Sequence, residues 1–273
     1  MLNFLSTLSP AQYTTVLYAF LATALLMTVS AGFFVLSRRK VEGAYRPALW
    51  MVAAIVTMSA LHYIFLAVQW RGVYELQGAF YTPDSASLPL ALYRYVYWLP
   101  TVPLLLISLV NVLDFPKQQA RSLGVRLTLA TVAMIVLGYP GEISTDMQTR
   151  AIWGTASTVP FLYILWVLYG MLNAALTDLT EEVSTLVTNS VLLLLGSWGF
   201  FPIIYMLPFL GISGGNAEVG VQLGYMLADW LAKAGFSFLI YSVAREQSLA
   251  EYEYEDEAYD EYEDLDEDAV ALG

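Results

Sequence analysis

The sequence predicts an all-α membrane protein, a bundle of seven transmembrane helices followed by a disordered acidic C-terminal tail. Seven apolar segments of spanning length can be marked along its 273 residues, 58% of the residues are hydrophobic and only 13% are charged, against roughly 25% charged in a soluble domain. A hydrocarbon core about 30 Å thick takes about 20 apolar residues to cross as a helix. The segments, approximately 10–37, 46–69, 89–113, 124–143, 151–174, 184–210 and 218–244, meet that length. Their connections are short and collect the charges and turn formers, as in S-R-R-K-V-E-G (37–43), D-F-P-K-Q-Q-A-R (114–121) and G-I-S-G-G-N (211–216). The expected organisation is one membrane domain, 1–245, and a tail, 246–273.

The first span is preceded by uncharged residues, is too long for a signal sequence and lacks a small-residue cleavage site, so no detachable signal peptide is expected. Arg38, Arg39, Lys40 and Arg46 follow the first span, and Lys117, Arg121 and Arg126 follow the third. Positive residues stay on the cytoplasmic side. Seven spans then put the N-terminus outside and the tail in the cytoplasm of a cell-membrane protein. The second span carries His62, the only histidine in the chain. A lone histidine in an apolar helix is more often a satisfied interhelical donor than a proton carrier. Between the second and third spans, V-Y-E-L and G-A-F-Y suggest a small extracellular hairpin.

In the third span Arg94, Tyr97, Trp98, Thr101 and Ser108 fall on one helical face. Hydroxyls there can tie helices together, but a buried guanidinium needs a partner, and Asp229 at the same depth is the expected one. The sixth span holds W-G-F-F-P-I-I-Y (198–205), whose aromatics and proline kink can wall a cavity. In the seventh, Asp229 and Lys233 are the only charges between Val219 and Ala244, four residues apart and so on one face. A mid-membrane ammonium costs at least roughly 2.5–3.5 kcal/mol on insertion scales. Either the two form a structural ion pair, or the desolvated amine condenses with an aldehyde to a Schiff base.

The net charge of −12 is local. The stretch from Glu246 to Asp268 holds 13 acidic residues and no basic one, leaving 11 acidic against 12 basic elsewhere. Such a run repels itself and has too few apolar residues to fold alone. It is a solvating tail or a docking site for a basic cytoplasmic partner, and nothing suggests nucleic acid. With no cysteine and one histidine, neither disulfides nor a metal centre is expected.

Five stretches in order resemble the microbial rhodopsins, nearest the xanthorhodopsin and proteorhodopsin branch: R-Y-V-Y-W-L-P-T-V-P-L-L-L (94–106), G-Y-P-G-E-I-S (138–144), I-W-G-T-A-S-T-V-P-F-L-Y-I-L (152–165), S-W-G-F-F-P-I-I-Y-M-L-P (197–208) and A-D-W-L-A-K (228–233). The resemblance implies a photoreceptor rather than an enzyme, with all-trans retinal bound covalently to Lys233 and Asp229 as counterion. Trp98, Trp198 and Tyr205 would sandwich the polyene, with Leu105, Met134, Gly138, Ser157, Thr158, Phe161, Phe201 and Pro202 around it. It also implies a homo-oligomer in the bilayer, and a lateral window at Gly154 through which a carotenoid antenna can stack on the retinal ring. Close helix packing is the other use of that glycine.

Three departures from the family pattern bear on function. The third-helix aspartate of proton pumps, counterion and proton acceptor, is Tyr97 here; the inward carboxylic proton donor is Ser108; and the sixth-helix tyrosine that bonds the seventh-helix aspartate is Phe201. A phenol with an ordinary pKa of about 10 is a poor proton acceptor near neutrality. His62 matches the histidine that pairs with the missing aspartate, so its hydrogen bond is expected to go to Tyr97. With the relay altered at both ends, a sensory or regulatory role is expected. The alternative is a light-driven ion transporter, either a modified proton pump using Asp229 or an anion pump.

Overall fold

The computed structural model describes residues 6–84, 89–113, 115–177 and 179–252. The expected tail beyond residue 252 lies outside them. Helix α1 (Pro10–Ser37) starts at a reciprocal cap: Gln12 N donates to Ser9 Oγ and Ser9 N donates to Gln12 Oε1. Pro10 sits in the first turn, where its missing N–H costs nothing. Helices α2 (Arg46–Val73), α3 (Leu90–Val112), α4 (Lys117–Glu142) and α5 (Met147–Ala175) follow in an up-and-down order, each packed on the one before. Asp146 caps α5 through Thr149 N at 2.7 Å, and the Thr149 hydroxyl at 2.6 Å, with that backbone bond, holds its carboxyl below the usual range.

The expected sixth span is realised in pieces: α6 (Glu181–Trp198), α7 (Phe200–Met206) and a 3-10 turn, Leu207–Leu210. Pro202 has no N–H to continue the ladder back toward Trp198, which accounts for the break near Gly199. The last span is α8 (Gly215–Asp229), a π-helical turn at Trp230–Gly235, and α9 (236–252). Among the described residues six helical segments, α6 and α7 together counting as one, are long and apolar enough to cross a membrane, and the interrupted last span completes the bundle. The main core runs through α2 to α6 and the last span, and a second apolar cluster lies under the hairpin around Phe20, Tyr63 and Trp70.

The hairpin forms as expected. Strands β1 (Tyr74–Gln77) and β2 (Phe80–Pro83) pair antiparallel with Gln77 opposite Phe80. Gly78 turns the corner at φ 65°, a conformation that penalises any Cβ. Leu8 bridges to Tyr81, and Tyr13 stacks on Tyr81 at 3.8 Å, tying the start of α1 to the hairpin.

At the other end of the bundle the expected domain boundary at 245 falls inside α9, because Gln247 and Ser248, one turn after the buried Val243 and Ala244, still face protein. Ser248 is buried and accepts from Glu42 N at 2.8 Å, Tyr45 donates to Glu251 at 2.9 Å, and Tyr252 donates to Glu42 at 2.7 Å. The Tyr252 hydroxyl holds the Glu42 carboxyl below its ordinary range.

Two glycines separate backbone strain from crowding, because neither Gly72 nor Gly78 has an atom within 4 Å of where a Cβ would sit. Gly78→Ala should destabilise by about 1–2 kcal/mol, the cost of a left-handed L-residue, whereas Gly72→Ala at the end of α2 should be neutral or slightly stabilising. Denaturation midpoints in one detergent compare the two.

Candidate functional site

The site is built on the interrupted last span. Lys233 lies in the π-helical turn with 1% of its surface accessible, and Asp229, at the end of α8, has 2%. Lys233 Nζ donates to Asp229 Oδ1, and Tyr63 of α2 donates to Asp229 Oδ2 at 2.8 Å. A buried carboxylate and ammonium stay charged only when paired and hydrogen-bonded in this way. π-turns shift side-chain register locally and recur at functional sites. Here the residue after Asp229 is anchored sideways as well, since Trp230 Nε1 donates to Thr23 of α1 at 2.9 Å.

Helix α3 supplies the floor. Arg94, Tyr97, Trp98, Thr101 and Ser108 are all buried, as their shared face predicts. Tyr97 lies against the pair: Lys233 Nζ is 4.7 Å from its ring centroid, a cation over a π-face. The expected hydrogen bond from His62 to Tyr97 is not made. The two rings stack flat, 4.1 Å apart and 6° from parallel, and the Tyr97 hydroxyl donates to Ser59 instead. Stacking turns the imidazole nitrogens away from the phenol oxygen, and His62 Nε2 is buried with no partner among the described residues. Thr101 and Ser108 spend their hydroxyls on their own helix, at Tyr97 O (2.9 Å) and Leu105 O (2.7 Å).

Arg94 does not meet Asp229. It donates to Gln222 Oε1, with its guanidinium 4.7 Å from the Tyr225 ring, while both Asp229 oxygens are taken by Lys233 and Tyr63. Gln222 in turn donates to Glu218 at 2.6 Å, and Tyr225 donates to Glu142 of α4 at 3.1 Å. Glu142 is closed by Arg150 of α5 at 3.0 Å, which also donates to the carbonyls of Gly141, Glu142 and Tyr205. Reasoning from the sequence missed Tyr63, Ser59, Gln222, Glu218, Tyr225, Glu142 and Arg150. A signal was present for three of them: Glu218, Gln222, Tyr225, Asp229 and Lys233 follow one another at offsets of 4, 3, 4 and 4, one polar stripe down the last span.

Aromatic walls flank the pair. Trp98 meets Phe201 edge-on at 5.0 Å and Tyr225 at 5.6 Å, with its Nε1 buried and unpartnered among the described residues. Phe161 lies 6.2 Å from Trp198. Leu105 is fully buried, Met134 O accepts from Ser157 at 2.7 Å, and a Cβ on Gly138 would meet Tyr95 Oη at 3.3 Å and Ser157 Oγ at 3.4 Å. Three expected pocket members lie elsewhere. Thr158 is exposed and bonds Gly154 O, because it is turned about 100° from the inward-facing Ser157. Pro202 is exposed at the kink. Tyr205 donates to Arg150 O at 2.6 Å and carries the Arg150 guanidinium at 4.2 Å, so its ring is drawn onto α5.

That placement bears on Gly154. A Cβ there would stand 3.0 Å from Tyr205 Cε1, so the glycine's bare face receives Tyr205 itself. A ligand entering at this point would have to displace that ring.

Breaking the Glu142–Arg150 pair from one side should be costly, since Arg150 is buried and Glu142 largely so. Arg150→Leu should lower stability by roughly 3–5 kcal/mol, the range for a stranded buried charge. Glu142→Gln, which keeps an acceptor for Tyr225, should cost less. Thermal midpoints of the two variants in the same detergent order them.

A family model for bacteriorhodopsin-like proteins matches residues 14–247. The chain is 28% identical over 242 residues to the green-light absorbing proteorhodopsin of Gamma-proteobacterium EBAC31A08, covering 88% of this chain and 90% of that one. Its structure is similar to that of xanthorhodopsin, a light-driven ion pump with dual chromophore, with a TM-score of 0.84, 42% identity, and coverage of 90% of this chain and 98% of the other. Thermophilic rhodopsin gives a TM-score of 0.85 at 38% identity, over 90% and 99% of the two chains. With a seven-helix bundle and a buried lysine inside its last span, the chain belongs to the bacteriorhodopsin-like family, integral membrane proteins that carry retinal covalently on a lysine.

Proposed function

We propose that this protein is a light-driven ion transporter, a modified proton pump in which Asp229 takes the proton from Lys233. The sensory role expected from the loss of two carboxylates gives way to transport. Of the relatives, one is named a light-driven ion pump and another a proteorhodopsin, and one structural observation carries the reading: a column of polar side chains leads from near the site toward one end of the bundle. Beyond Asp229, which it does not touch, it runs from Arg94 through Gln222 to Glu218, with Tyr225, Glu142 and Arg150 alongside. That end holds the start of α1 as well as of α8, since Gln12 Nε2 donates to Asn216 Oδ1 at 2.7 Å. The basic connections lie at the opposite end, so the column points outward if positive residues face the cytoplasm.

The residues present fit the cofactor. Lys233 is a buried amine with a carboxylate in contact, and Trp98 with Phe201 and Phe161 with Trp198 offer apolar faces. Retinal, bound at Lys233, supplies a light-driven change in the orientation and proton affinity of Nζ. Asp229 Oδ1 is the group positioned to accept that proton, and Tyr63 holds the carboxylate in place. Tyr97 cannot share the task as a base, but its π-face lies against the cation. Its ring also takes up the volume that a halide beside Lys233 would need, which favours a proton over an anion.

On the other side of Lys233, α3 offers Ser108 among Leu105, Leu106 and Leu109, a hydroxyl without a titratable proton near neutrality. The returning proton therefore comes from bulk water. We also propose a homo-oligomer in the bilayer, and a carotenoid antenna beside α5 that binds only with Tyr205 swung off Gly154.

Illuminated cells should acidify their medium, the signal should collapse with protonophore, and replacing chloride by sulfate should leave it unchanged. Asp229→Asn should cut the signal at least tenfold, and Lys233→Ala should abolish the visible band. No light-induced pH change, with the band present, would return the reading to a sensor; a signal that needs chloride would make it an anion pump. Recovery after a flash should slow about tenfold per unit rise in pH, and Ser108→Asp should make it faster and flatter with pH.

A further inference from the structure

We propose that the groove between the start of α4 and the end of α5 is a binding site for an anionic glycerophospholipid, with Arg126 holding its phosphate. Two adjoining hollows of about 430 and 410 Å³ share Gln119, Leu123 and Arg126. The upper one carries Gln118, Gln119 and Ser122 beside Pro116 and Leu123. The lower one is floored by the buried Val167 and Met171 and flanked by the exposed Trp166 and Tyr169. A mouth that holds two amides, a hydroxyl and a guanidinium and continues into an apolar trough has the shape of a headgroup and an acyl chain.

Arg126 sets the chemistry. It lies just inside the apolar part of α4, between Val125 and Leu129, which are 53% and 66% exposed on the lipid-facing surface. A guanidinium there must find an anion or snorkel to the interface. Its Nε donates to Tyr163 at 2.8 Å and its plane lies 5.7 and 5.9 Å from the Tyr163 and Trp166 rings. These contacts hold the group in the groove but bring no negative charge. Among the described residues no carboxylate lies within 4 Å of it, and its terminal nitrogens have no acceptor. Residues 114–126 carry Lys117, Arg121 and Arg126 against Asp114 alone, a net positive stretch. The local field thus favours a lipid with net negative charge over a zwitterionic one, and the Trp and Tyr flanks suit the level where headgroup meets chain.

The test uses the full chain with retinal in nanodiscs and reads tryptophan quenching by phosphatidylglycerol or phosphatidylcholine with brominated acyl chains. Brominated phosphatidylglycerol should quench at least twofold more than the choline lipid, and Trp166→Phe should remove the excess. Arg126→Gln should equalise the two lipids while the visible band is retained. Should that variant lose the band, Gly170→Phe decides in its place: Gly170 borders the trough with nothing within 4 Å of a Cβ, so an added ring fills the groove and should likewise erase the excess. Equal quenching in the unmodified protein, or an excess that survives the deciding variant, overturns the proposal. So does an excess abolished by millimolar inorganic phosphate, which would assign the site to a free anion.

Discussion

The buried contact between Lys233 and Asp229 is the constraint the rest of the structure answers to. Neither charge is tolerable alone in a bundle whose walls are leucine, valine and aromatic rings, since a stranded buried ion costs several kcal/mol. Tyr63 supplies the second hydrogen bond to the carboxylate, Tyr97 offers a π-face to the ammonium, and the π-helical turn puts the lysine where both reach it. The same contact that stabilises the pair makes it chemically useful. A proton on Nζ has one carboxylate oxygen directly in front of it, and a change at Nζ is felt first at Asp229.

From there the arrangement is asymmetric. Toward the end where α1 and α8 begin, each polar group leads to another: Gln222 to Glu218, Tyr225 to Glu142, Glu142 to Arg150. Toward the opposite end, Thr101 and Ser108 turn their hydroxyls back onto carbonyls of α3. A bundle polar on one side of its central charge and apolar on the other has a built-in direction, and transport requires one. Tyr97 and Ser108 put no carboxylate on this face of α3, and that direction does not depend on one.

Arg94 and Arg150 divide the work that a single buried arginine would be expected to do. Arg94 is satisfied by an amide and an aromatic face, leaving Asp229 to Lys233 and Tyr63, while Arg150 neutralises Glu142 and clamps three backbone carbonyls. Arg150 also draws Tyr205 onto α5 by stacking and through its carbonyl, which is why the face of Gly154 holds a ring.

The sequence by itself determined the helical spans, the hairpin and the Lys233–Asp229 pair. Apolar run length, turn residues and an i, i+4 spacing are local quantities, and the bilayer converts them directly into structure. The first span begins and ends at Pro10 and Ser37, as its apolar run does, whereas α4 starts at Lys117, well before its apolar run, because a helix can continue into the polar region beyond the hydrocarbon. The stripe on α3 was legible for the same reason. Partner choice between helices was not, because it depends on which side chains meet across a gap. Only the tertiary structure decided that Arg94 goes to Gln222, that His62 stacks on Tyr97 instead of bonding it, that Thr158 faces outward and that Tyr205 covers Gly154. Each is a competition among polar groups at nearly equal depth, settled by side-chain reach and by the cost of leaving a buried donor or acceptor unpaired.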